Sequence, residues 1–146
     1  MSPPAWRRRR DVQALPAPAP AADIPDMTTC DLDGVRHLVF ICLGANCRAA
    51  GADLVLDELK AARKELDLKS TVHLVRTRCM DRCDDACNVV VTPGTCWYGG
   101  VTPKVARRIA REHLRDGTPV AGALTHREDG KLLRGTGRGR PGKPLR

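Results

Sequence analysis

Four cysteines in two close pairs, Cys42-x4-Cys47 and, thirty-one residues further on, Cys79-x3-Cys83, constrain this chain more than any other feature. The first pair stands where the apolar run His37-Leu-Val-Phe-Ile-Cys-Leu43 meets a glycine, the pattern of a buried strand running into a loop. The second follows Thr71–Thr77, a strand-like stretch that alternates in part. If the two strands are parallel neighbours, both loops leave the same end of the sheet and four thiols converge. Four thiolates, two for each iron, is the set that a [2Fe–2S] cluster requires. Gly44 is expected to relax the backbone beside such a site.

Most other thiol chemistries fail on spacing. The plant-type run C-x4-C-x2-C is absent, and His37, His73, His113 and His126 lie outside both cysteine loops, leaving no paired histidines for a Rieske centre. Nowhere are two cysteines separated by two residues, so the dithiol of a disulfide oxidoreductase is not encoded. Structural zinc tolerates two to four residues within a pair, and a non-redox zinc-binding interaction module survives on spacing alone. Cys87 extends the second loop as a structural residue or an alternate ligand, whereas Cys30 and Cys96 read as non-ligands.

The remaining pattern supplies a frame. From about Ala49 to Leu66 the residues Ala52, Val55, Leu56, Leu59, Ala62 and Leu66 recur at helical spacing opposite a charged face. Asn88–Thr92 and Cys96–Tyr98 read as strands joined by a Pro-Gly hairpin. Thr102 as N-cap and Pro103 at the first helical position open a last helix, with Val105, Ala106, Ile109, Ala110, His113 and Leu114 as its buried stripe and Gly117 as its stop. The order β-α-β-β-β-α implies an α/β fold with a mixed sheet, similar to a thioredoxin-like sandwich. Residues 1–35 read as a disordered Pro/Ala-rich leader, 36–122 as the domain and 123–146 as a disordered basic Gly/Arg-rich tail. Met27 offers a second start beside Met1.

The net charge of +8 is largely a tail property: residues 127–146 carry seven Lys/Arg against two acids. With aromatics only at Trp6, Phe40, Trp97 and Tyr98, there is no stacking platform for single strands, and nucleic acid is not the expected partner. No stretch has the ~20 apolar residues of a membrane span, and the N-terminus lacks the apolar core of an export signal. The expected compartment is the cytoplasm, where seven cysteines point to metal or catalysis before disulfides.

Three segments, HLVFICLGANCRAAGADLVLDEL, TRCMDRCDDACNVVV and WYGGVTPKVARRIAREHLRDGTPV, resemble the thioredoxin-like [2Fe–2S] ferredoxins, a family of free bacterial ferredoxins and of the cluster-bearing small subunit of NADH dehydrogenase. The family's four ligands fall on Cys42, Cys47, Cys79 and Cys83. The resemblance implies a [2Fe–2S] cofactor, one-electron transfer between a redox donor and acceptor without substrate chemistry of its own, and a homodimer for free-standing members. It also admits a subunit of a larger NADH-oxidising complex, though residues 1–35 are too short and Pro-rich for the helical extension such subunits carry. The chain departs from the family at Ala86-Cys87, where Gly-Pro is frequent. Arg48, Arg78 and Arg82 lie close to the cysteines as candidate tuning or partner-steering charges.

Overall fold

The computed structural model describes residues 29–145. Residues 1–28 of the leader expected over 1–35, and the second start at Met27, lie outside these. The chain divides after Asp31, and the unit Leu32–Arg146 carries every element of secondary structure below.

Its sheet has six strands: β1 (His37–Cys42), β2 (Val72–Thr77), β3 (Val89–Val91), β4 (Cys96–Tyr98), β5 (Leu124–Asp129) and β6 (Leu132–Gly135), in the order β2-β1-β3-β4-β5-β6. β1 and β2 are parallel and all other pairs antiparallel, so the sheet is mixed as expected. The crossover between β1 and β2 holds α1 (Ala45–Ala49) and α2 (Ala52–Glu65). α3 (Pro103–Arg108) runs on as a wider π-helical segment over Ile109–Arg115.

The sequence pattern puts α2 where it is. Ala52, Val55, Leu56, Leu59 and Ala62 are its buried residues, at the helical spacing read from the chain. A single helix from about Ala49 was expected. Instead Gly51 takes φ 98°, a left-handed conformation that interrupts the helix and starts a new one at Ala52. Thr102 caps α3 by accepting the Val105 N–H at 3.2 Å, and Gly117, at φ 79°, ends its continuation. Tyr98 is fully buried beneath that helix; its hydroxyl accepts the Val120 N–H at 3.1 Å and lies 2.7 Å from His113 Nδ1.

The expected tail from residue 123 contains structure. Leu124 and Thr125 are buried beside β4, and β5 turns back into β6 through Gly130-Lys131. Gly130 has φ 65°, which a primed two-residue turn requires and glycine supplies without strain. The segment after β6 then returns to the second cysteine loop. Arg140 N–H donates to Asp85 Oδ1 at 3.0 Å, and the Arg82 guanidinium donates to Arg140 O at 2.7 Å. Arg82 and Asp85 themselves form an ion pair that is largely out of solvent. Gly/Arg composition hid this because the tail docks through its backbone.

Candidate metal centre

The parallel ladder sets the site. Cys42, the last residue of β1, is level with Thr77, the last residue of β2. Leu43 N–H still donates to Thr77 O at 2.9 Å, holding the two loops together as they leave the sheet. Cys79 follows two residues after Thr77, and Cys47 lies in α1, the short helix that starts within three residues of the end of β1. The convergence that spacing suggested therefore has a structural cause.

Cys42, Cys47, Cys79 and Cys83 line one cavity of about 160 Å³, together with Gly44, Arg82 and Asn88. Cys79 Sγ and Cys83 Sγ are 3.5 Å apart, and Cys42 Sγ lies 3.5 Å from Arg78 O. Cys42 and Cys47 are buried, while Cys79 and Cys83 are exposed, so the site has an inner and an outer half. Among the described residues, no three metal-ligating side chains close on a single point. The sulfurs form two pairs.

Gly44 fits these loops together, but by a different property from the expected one. Its φ of −65° and ψ of 165° are open to any residue. What it provides is the missing side chain: a Cβ there would stand 3.0 Å from the Cys79 Cα and 3.2 Å from its N. The two cysteine loops touch backbone to backbone at this point.

Burial, relieved in part by the Asn88 backbone and aided by the Cys42 thiol, pushes the Cys47 thiol up to about 11. At Cys79 the Asp81 N–H, 3.4 Å from Sγ, pulls downward, but the neighbouring Cys83 thiol and some desolvation leave the net shift upward. A thiol whose pKa is raised in this way gains from a bound cation when it gives up its proton.

The other cysteines stand apart from the cavity. Cys87 is buried and its Sγ donates to Cys47 O at 3.3 Å, a structural contact between the loops. The Ala86–Cys87 peptide bond is cis. Cys96 is buried within β4, and Cys30 is exposed. The arginines differ in role: Arg48 is exposed and 3.9 Å from Asp53, whereas Arg82 is held by Asp85 and the C-terminal segment. Asn88, which sequence reasoning passed over as the start of a strand, is fully buried between both loops. Its signal was a polar residue opening an otherwise apolar strand.

No family model matches the chain. A Priestia megaterium protein assigned as a 2Fe-2S ferredoxin is 39% identical over 105 residues, spanning 72% of this chain and 82% of its own length. A 2Fe-2S ferredoxin of Aquifex aeolicus (strain VF5) is 30% identical over 91 residues, 56% of this chain and 82% of that protein. A solved structure of a thioredoxin-like [2Fe-2S] ferredoxin from Aquifex aeolicus superposes with a TM-score of 0.60 at 27% identity, covering 67% of this chain and 96% of the other. The cofactor in those names asks for four thiolates in two pairs. The cavity here is lined by four thiols and by no histidine or carboxylate, a donor set that fits the group. The fold, the thiols and these relatives agree, and the chain belongs to the thioredoxin-like [2Fe–2S] ferredoxins, carriers of electrons by means of a [2Fe–2S] cluster.

Proposed function

We propose that Cys42, Cys47, Cys79 and Cys83 are the four ligands, and that the chain passes single electrons between redox proteins without substrate chemistry of its own. The observation that carries this reading is the lining of one cavity by four thiols drawn from two loops of adjacent parallel strands. When bound, the cluster supplies reversible one-electron uptake. The chain's residues do the rest. Cys42 and Cys47 hold the inner half away from water, and Cys79 and Cys83 bring the outer half to the surface, where a donor or acceptor can approach. Arg48 and Arg78, both exposed, steer such a partner.

The cluster-holding unit in this reading is 36–122, with the β5–β6 hairpin as an addition to it. Seven free thiols suit a reducing compartment, which favours the cytoplasm. Among the described residues no helix is long and apolar enough to cross a membrane. A homodimer is the assembly that the family resemblance favours, and nucleic acid is not the expected partner.

Iron, sulfide and visible absorbance measured on single Cys→Ser variants of anaerobically purified protein test the assignment. Substitution at 42, 47, 79 or 83 should abolish or alter the cluster, and substitution at 30, 87 or 96 should leave it. A normal spectrum in any of the first four, or a colourless wild-type protein loaded with zinc, would refute it.

A further inference from the structure

Asn88 is a buried polar residue, 1% exposed, whose side-chain bonds reach both cysteine loops and Trp97 of β4. Its Nδ2 donates to Arg82 O at 2.8 Å, in the second cysteine loop, and to the Cys47 sulfur at 3.7 Å, in the first. Its Oδ1 accepts from the Trp97 indole at 3.4 Å. An amide can ordinarily be turned over without changing its shape. Here the neighbours forbid it, because a carbonyl only accepts and an indole N–H only donates. The N–H must face Arg82 O and Cys47, and the oxygen must face Trp97. Both amide hydrogens are thus engaged, and the bond from Trp97 to the oxygen fixes which way the amide faces.

We propose that Asn88 sets the electron affinity of this site, its side-chain amide donating to the Cys47 sulfur and so favouring the reduced state. This rests on Cys47 being a ligand. Added charge on the reduced centre spreads onto the ligand sulfurs, so a donor fixed on one of them is bound more strongly after reduction than before. The amide spans both cysteine loops, and the Trp97 contact ties its orientation to β4. Asn88 is thus a positioning residue that acts through Cys47.

The test is the midpoint potential of the full-length, cluster-loaded protein, followed by redox titration. Asn88→Leu removes the donor and should make reduction about tenfold less favourable, a fall of ~59 mV for a one-electron couple. Asn88→Asp keeps the shape, replaces the donor with an acceptor, and should fall further. An unchanged potential in either loaded variant overturns the proposal. Should neither variant take up the cluster, pulsed EPR of the reduced Asn46→Ala protein decides, because Asn88 is then the sole asparagine and can carry 15N at its side-chain amide alone. Coupling of that nitrogen to the electron spin is expected, and its absence overturns the proposal. Cys47→Ser is run beside these: an unaltered cluster there refutes the ligand assignment, whereas an altered one with unchanged Asn88 potentials refutes only the role of Asn88.

Discussion

Gly44→Ala and Gly51→Ala form a matched pair that separates the two uses of glycine around this site. At position 44 a new Cβ would meet the Cys79 Cα at 3.0 Å, its Cβ at 3.1 Å and its N at 3.2 Å. Ordinary carbon–carbon contact is about 3.5–4.0 Å, so the loops must part by roughly 0.5 Å. Two of the three atoms are backbone and cannot swing aside. Overpacking of this kind costs about 1–3 kcal/mol. At position 51 nothing lies within 4 Å of the new Cβ, but φ is 98°. The left-handed conformation then costs about 1–2 kcal/mol without moving a sulfur.

The two substitutions should therefore lose similar stability in urea, followed by far-UV circular dichroism on the loaded protein. Only Gly44→Ala should lose its visible absorbance faster than wild type in the presence of an iron chelator, because only there does the Cys42–Cys47 loop move against Cys79. Equal cluster lifetimes in Gly44→Ala and wild type would refute the close-approach argument. Equally rapid loss in Gly51→Ala would show that cluster lifetime tracks overall stability and not loop spacing.

Burial of His113, with His37 adjacent, brings its pKa down to about 4 against an unfolded value near 6.5. Above 6.5 neither state is protonated there; as pH falls towards 4 the unfolded chain gains a proton that the folded one does not. About 2–3 kcal/mol should be lost across that window, and urea curves of His113→Gln should be flatter than wild type over the same range. Asp85→Ala should cost about 1–3 kcal/mol, since it strips Arg82 of its partner and frees the Arg140 amide, which hydrogen exchange would report as lost protection at 140. Tyr98→Phe deletes the hydroxyl that accepts from Val120 and meets His113, and should destabilise the fold by ~1–3 kcal/mol with the cluster spectrum unchanged.

The sheet and helices around the site were legible because their patterns are strong. Val39 and Ile41 lie in the apolar run read as a buried strand, Val55, Leu59 and Ile109 fall on the stripes that helical spacing assigns, and all five are fully buried. The meeting of the cysteine loops followed from one inference, that β1 and β2 lie parallel and adjacent. Three features escaped. The break at Gly51 is a backbone event inside an unbroken amphipathic pattern, so side-chain periodicity could not reveal it. The β5–β6 hairpin carried its signal in Gly130, but Gly/Arg composition around it suggested disorder. Asn88 escaped because its importance depends on Trp97 and Arg82 at once, a coincidence that only folding creates.

The docking of the last residues has a practical side. A Cβ at Gly139 or Gly142 would stand 3.1 Å from the Arg82 guanidinium, so residues 139–142 lie flat against the neighbour of Cys83. A label attached at position 139 or 142 would push at the outer half of the site, and potentials or lifetimes measured with it in place would belong partly to the label.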